Sequence, residues 1–377
     1  MNTTARLASV GGLALAATTL LASPANASPG QHHRSPHPVF VQTDNPNGNT
    51  IVAYDRHDDG TLQQAGVYAT DGLGGVLTGS VVDHLASQGS LAYDATHRLL
   101  YALNAGSNTV TVFAVHGDHL GRRQVISSGG TFPVSITTHG NVVYVLNARD
   151  GGSVQGYVRV GGRLSRVPSW HRHLGLDQSL TPEFTHTPGH IAFTPDGSKL
   201  IVTTKANGNN IDVFLVGHQG GLSARPVVTA DPGAVPFAVT FDRRNHLVVT
   251  EAGTGGVATY RVNRHGTLSL IDRALTGQAA TCWIVGTGNN LYASNAGSAN
   301  LSGYRDDGDG TLTATGTTAT DPGTVDAAAS SDGHYVYVQT GAEGIVDEFR
   351  VEHDGSLTAI GAVPVPGGVG GEGIVAS

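Results

Sequence analysis

Short apolar runs, rich in Val, Ile, Thr and Tyr and broken by Gly, Asn and Asp, set the pattern of this chain. Runs of this length and composition between turn residues are the signature of strands, and no long helical periodicity appears after residue 27. The pattern also repeats. Residues 98–120 read RLLYALNAGSNTVTVFAVHGDHL and residues 289–312 read NNLYASNAGSANLSGYRDDGDGTL, with the same apolar run, the same Asn-Ala-Gly-Ser and the same Gly/Asp turn before a Leu.

Two markers follow this phrase through the chain. The residue closing the second apolar run of each unit falls at Thr43, Asn104, Asn147, Lys205, Glu251, Asn295 and Thr340, and the Leu after each turn falls at Leu62, Leu120, Leu164, Leu222, Leu268, Leu312 and Leu357. Both give seven units with a shortest period of about 44 residues, the length of a four-stranded propeller blade that is stable only when stacked on its neighbours. The expected fold is all-β: a seven-bladed β-propeller of antiparallel blades over residues 38–377. In the fourth unit GHIAFT, KLIVTT, NIDVFLV and LSARPVVTA read as the four strands from inside to outside, joined by turns such as PDGS and GHQGG. The first unit lacks an inner strand, since HPVFVQT already matches a second one. GEGIVAS at the C-terminus is a surplus strand, so residues 367–377 are expected to pair beside 38–43 and close the ring.

The phrases SQGSLAYD, YALNAGSNTVTVF, TPGHIAFTPDGSKLIVTTKANGNNIDVF and TGQAATCWIVGTGNNLYASNAGSANLSGYR resemble the seven-bladed propeller lactonases, which include 6-phosphogluconolactonase-like and carboxymuconate-cyclase-like proteins. The resemblance covers about residues 38–377 and is to a bacterial, often secreted branch. It implies a hydrolase that opens a lactone at the central channel.

Composition narrows the setting. Residues 1–27 carry one basic residue, Arg6, then the apolar LASVGGLALAATTLLA and small residues ending in ANA, the layout of a secretory signal cut after Ala27; residues 28–37 then form a flexible linker. Secretion is the expectation. No later apolar run approaches the roughly 20 residues of a membrane span. The formal charge is −8, and losing Arg6 with the leader makes the mature chain more negative, so nucleic acid and anionic membranes are excluded as partners. Cys282 is the single cysteine, so stability rests on packing and not on a disulfide. A closed ring has no free edge, and a monomer is expected.

Differences between units point to function. The second-run closers define a lip around the channel with five neutral members and two charged ones, Lys205 and Glu251, in adjacent blades and expected to face each other. Strand alternation places a second ring on the inner strands: Ser90, Ser135, His190, Ala238, Cys282, Asp326, and Glu372 or Gly373. Two intervals are about 15 residues too long. The excess falls at 65–88 and 166–187, both between an outer strand and the next inner strand, so both insertions should emerge on one face, where repeat proteins tend to bind ligands. The second insertion brings Trp170, His171, His173, Glu183 and His186 toward His190.

Lactone hydrolysis needs a base for water and a cation or donor for the oxyanion. Glu251 or His190 is the candidate base, and Lys205 or Arg149 the group that holds the oxyanion or a substrate carboxylate. Asn104, Asn147, Arg149, Glu183, His186, Asn295 and Asp326 are the candidate substrate contacts. Neither the family's Pro-His-x-His pattern nor an arginine-rich phosphate clamp is present, and THTPGHIAF puts His186 and His190 in a different phase, which points to a non-phosphorylated substrate. The ligand class is a small lactone or a carbohydrate-like molecule. No cofactor is expected, and His171, His173 and His186 lack the fixed spacing of a metal motif. The alternative is a propeller that binds a ligand or protein without turnover.

Overall fold

The computed structural model describes residues 37–377, so the leader at 1–27 and nearly all of the linker lie outside the described residues. Seven four-stranded antiparallel sheets form the blades. Blade 1 comprises Val39–Gln42, Thr50–Arg56 and Leu62–Ala69 with Ile374–Ala376 as its inner strand; blade 2 spans 91–127, blade 3 133–173, blade 4 191–230, blade 5 236–275, blade 6 281–319 and blade 7 324–364. Inner strands of successive blades touch in order, and Ile374–Ala376 touches those of blades 7 and 2, which makes the ring continuous. One short 3-10 turn, Glu183–Thr185, is the sole helical element among the described residues.

The closure follows the expected register: Val39, Phe40 and Val41 pair with Ala376, Val375 and Ile374. Gln42 N donates to Gly373 O at 2.8 Å, and Ser377 N donates to Pro38 O at 3.1 Å. One sequence expectation was too long. The outer strand of blade 4 covers only Val227–Ala230, because Pro226 lacks an N–H and holds Arg225 away from ladder geometry.

The repeated phrase has a physical reading. Its Asn sits at the end of the second strand and ties that strand to the third. Asn104 Nδ2 donates to Thr109 and Thr111 Oγ1 at 3.1 and 2.9 Å, and Asn295 Nδ2 donates to Asn300 Oδ1 and Ser302 Oγ at 2.8 and 2.9 Å. Its turn glycine docks on the preceding blade. Gly60 lies at φ 89°, where a Cβ would sit 2.0 Å from the Tyr335 ring, and its carbonyl accepts from Tyr337 Oη at 2.7 Å. Gly220 and Gly355 accept in the same way from Tyr144 and Tyr292, both at 2.8 Å.

These tyrosines supply a graded test. Tyr337→Phe strands a buried carbonyl and is expected to cost about 1–2 kcal/mol in urea denaturation. Tyr101 is equally buried, but its hydroxyl has no hydrogen-bond partner, so Tyr101→Phe should cost markedly less. Equal losses from the two substitutions would remove the inter-blade tie as a source of stability.

Candidate functional site

The two insertions meet on one face, as their position between outer and inner strands requires. Thr78 N donates to Glu183 Oε2 at 2.7 Å and Phe184 N to Thr78 O at 3.4 Å. Residues 82–88 go further than a lid: they cross the channel mouth and bond to several blades. His84 N donates to Gly370 O at 2.8 Å, Ser87 Oγ to Val134 O at 2.9 Å and Gln88 N to Gly189 O at 3.1 Å. On blade 6, Trp283 Nε1 donates to Ser87 O at 2.6 Å, and the Gln88 amide exchanges two hydrogen bonds with the Ile284 backbone at 3.0 and 2.9 Å. The segment is a plug.

Lys205 fastens plug to lid. It is buried at φ 52°, and Nζ donates to Ala86 O at 2.6 Å, Phe184 O at 2.5 Å and Thr187 Oγ1 at 3.0 Å. Nζ also lies 5.4 Å from the centre of the Phe237 ring. Burial lowers its proton affinity to about 7, against the pull of the Asp83 carboxylate. Asp83, on the plug, is buried and accepts from Leu85 N and Ser87 N at 2.7 and 2.9 Å; desolvation raises its pKa to about 6.

The expected confrontation of Lys205 with Glu251 does not occur. Glu251 is the last residue of its strand and turns into its own blade, where it pairs with Arg273, Nε to Oε2 at 2.8 Å and Nη2 to Oε1 at 2.8 Å, whereas Lys205 lies two residues beyond its strand, Lys199–Thr203, and turns to the plug and lid. Thr254 and Tyr260 donate to the same carboxylate at 3.0 and 3.3 Å. The Asn members of the lip are likewise turned into their hairpins. Asn147 reaches Ser128 O and Ser153 Oγ at 3.5 Å, and Asn104 and Asn295 make the bonds given above.

The inner-strand ring is the one that converges on the channel. His190 accepts from Val239 N at Nδ1, 3.0 Å away, so the proton sits on Nε2, which faces Gly89 and Ser135; burial depresses its pKa to about 3. In that tautomer the ring is a donor and not a base. Glu372, and not Gly373, supplies the side chain at the ambiguous position. Glu372 Oε1 accepts from Gly89 N at 2.6 Å, while a Cβ on Gly373 would meet Ser90 Oγ at 2.3 Å. Glu372 Oε2 has no donor, and the Glu372 and Asp326 carboxyls lie close enough to share a hydrogen bond, which forms only if one keeps its proton. Asp44 joins them below the plug, accepting from Glu372 N at 2.8 Å. Desolvation raises Asp326 to about 7 and Asp44 to about 8, and lifts Glu372 well above the carboxylate range.

Two cavities flank the lid turn. A polar one of about 190 Å³ gathers Arg149, Asp150, Glu183, His186 and Asn207. Its charges are mostly committed: Arg149 holds Glu183 through Nε and Nη2 at 2.6 and 3.1 Å, which lowers the Glu183 pKa to about 2, and the guanidinium carbon lies 4.3 Å from the centre of the Phe132 ring. The other cavity, of about 370 Å³, lies between the plug, the lid and blades 5 and 6, lined by Val82, Asp83, Phe184, Phe237, Cys282 and Trp283. Asp83 is its one carboxylate. Burial pushes the Cys282 thiol up to about 12, which leaves it a neutral wall group. His171 and His173 stand side by side on the outer strand of blade 3, ring centres 4.5 Å apart, away from His186; no group of three or more His, Cys, Asp or Glu among the described residues could hold a metal ion.

Asp83, Gln88 and Arg273 escaped the sequence reading. The signal for Asp83 is the phrase VVDHLA, a carboxylate flanked by apolar residues in an otherwise turn-like insertion.

Residues 199–328 match the family described as "Lactonase, 7-bladed beta-propeller". Among solved structures the chain is similar to a candidate 6-phosphogluconolactonase from Bacteroides fragilis (18% identity, 93% of this chain and 100% of that one, TM-score 0.70). It is also similar to a periplasmic gluconolactonase from Pseudomonas aeruginosa (17%, 90% and 98%, TM-score 0.70). A third likeness is to virginiamycin B lyase from Staphylococcus aureus (12%, 76% and 86%, TM-score 0.54). At these identities the likeness is one of fold. No curated protein matches by sequence.

Proposed function

We propose that this seven-bladed propeller, whose residues 199–328 match the propeller lactonases, opens a non-phosphorylated cyclic ester in the cavity between plug, lid and blades 5 and 6. The observation that carries the reading is Asp83: the single carboxylate lining that cavity, held by two backbone N–H groups, with a pKa raised to about 6. A base must take a proton from water and then return it, and it does both best when its pKa lies near the working pH. Asp83 accepts the proton of the attacking water as the oxygen adds to the carbonyl carbon. The tetrahedral oxyanion then collapses, the ring C–O bond breaks, and the leaving alkoxide takes the proton back from Asp83.

Lys205 contributes position and field. Its ammonium fixes Ala86 and Phe184, two walls of the cavity, and places positive charge behind them where negative charge develops. The candidate base thus moves from Glu251 and His190 to Asp83, because Glu251 is bound by Arg273 and His190 carries its proton on the channel side. A phosphoryl group would find no free guanidinium here, since Arg149 is committed to Glu183. The leader at 1–27 supports export, and the negative net charge supports a neutral small-molecule substrate.

A second reading, a binding propeller without turnover, is favoured by one observation: all three hydrogens of the Lys205 ammonium are already donated within the protein. A pH-stat screen of the mature chain against γ- and δ-lactones separates the two. Turnover that Asp83→Asn lowers by about 10²- to 10⁴-fold in a chain that still melts cooperatively is the expected result. Binding without turnover across the panel would leave the second reading.

A further inference from the structure

The cavity holding Asp83 is apolar almost throughout. Phe184, Phe237 and Trp283 supply its aromatic walls, Val82, Ala86 and Ala296 its aliphatic ones, and Val81 stands 81% exposed at its rim. Its polar side chains are few and occupied. Ser80 donates to the Asp83 carbonyl, the Asp83 carboxylate takes two backbone N–H groups, and Trp283 Nε1 points away to Ser87 O.

This lining decides between ligand classes. A polyhydroxylated lactone would bury several hydroxyls without partners, each costing about 1–3 kcal/mol. An alkyl chain loses nothing there and gains with every methylene removed from water. Flat aromatic substituents are disfavoured as well, because Phe237 and Trp283 already meet edge to face, centres 5.0 Å apart at 61°, and leave no parallel slot between them. The exposed Val81 extends the apolar wall outward, as a chain longer than the cavity would require.

We infer that this cavity takes the aliphatic tail of its ligand, so that the preferred class is a lactone bearing a medium-length alkyl or acyl chain and not a sugar lactone. The inference rests on the site assigned above but not on catalysis. The tail lies against Phe184, Phe237 and Trp283, and the lactone carbonyl is left near Asp83.

Isothermal titration of the full mature chain with γ-butyrolactone, γ-hexalactone, γ-octalactone, γ-decalactone and glucono-δ-lactone tests it. Affinity should rise roughly three- to fourfold per methylene until the cavity is full. The heat-capacity change should grow more negative along the series, and glucono-δ-lactone should bind at least tenfold more weakly than γ-octalactone. Ala296→Phe, which fills the cavity, should abolish the chain-length dependence. Val81→Ser, on the exposed rim and harmless to folding, should weaken γ-decalactone several-fold more than γ-butyrolactone. A flat series, tighter binding of glucono-δ-lactone, no binding by any member, or indifference to both substitutions overturns the inference. A rising series without turnover supports the tail site and sinks the lactonase reading, whereas turnover of glucono-δ-lactone with a flat series does the reverse.

Discussion

A chain ending at Gly370 is expected to lose its cooperative fold. Removing 371–377 takes the inner strand from blade 1 and uncovers Val39, Phe40 and Val41, all fully buried in the closed ring. Each such side chain contributes about 1.5–3 kcal/mol through burial, and together with Ile374 they approach the 5–15 kcal/mol that separates a typical native state from the unfolded chain. The hydrogen-bond losses fall on the same place. Asp44 loses its donor Glu372 N and Asp326 loses Ile374 N, while Gly89 N loses the Glu372 carboxylate, so buried polar groups on blades 1, 2 and 7 are stranded together. Thermal melting by circular dichroism and size-exclusion chromatography should show no sharp transition and an aggregated or expanded species. A truncated chain that melts cooperatively within a few degrees of the full one would show that the ring does not depend on this strand.

The ring itself was legible because its signal is repeated seven times and carried by two independent markers, so a local irregularity such as Pro226 shifts one strand and nothing else. The inner-strand positions were legible for a related reason: alternation fixes which side chains face the channel, and His190, Asp326 and Glu372 do so. Alternation fails at a strand end. There the side chain of Glu251 or Asn104 answers to the hairpin and the outer strands, and the partner of Glu251 is Arg273, 22 residues further along the chain. The plug was illegible for the opposite reason. Residues 82–88 have no period, and their contacts are to blades 3, 4 and 6 and to Gly370, which no local pattern encodes. Asp83 therefore stood unmarked within the 65–88 insertion, although it is the carboxylate at the candidate site.

Stability should fall as pH rises from 5 to 7, and the buried carboxyls of the channel are the reason. Asp44, Asp326 and Glu372 all hold their protons more tightly in the folded protein than in the unfolded chain, with Asp44 raised to about 8 and Asp326 to about 7 by desolvation. Between the unfolded carboxylate range and those values the native state binds more protons than the unfolded one, so each step up in pH favours unfolding, by about 1.4 kcal/mol per unit for each fully differing proton. His190 opposes this. Its pKa, depressed to about 3, means that the unfolded imidazole binds the extra proton up to its ordinary 6.5, which raises stability over the same range. One imidazole stands against these three carboxyls and, up to about pH 6, against Asp83 as well, so the net change is a loss. Above pH 7 the lowered Lys205 turns partly against the loss, because there the unfolded lysine is the one that holds more protons, and the decline should slow. Asp326→Asn tests the cause: it removes one of the three protons, while its amide oxygen can still accept one of the two backbone N–H groups, of Ala327 and Ile374, that the carboxylate holds. Urea midpoints should therefore drop more steeply from pH 5 to 7 in the natural chain than in Asp326→Asn, and the two should diverge further at pH 8. A midpoint that climbs across this window, or that follows the same slope in both proteins, would mean that these carboxyls are ionised in the native channel.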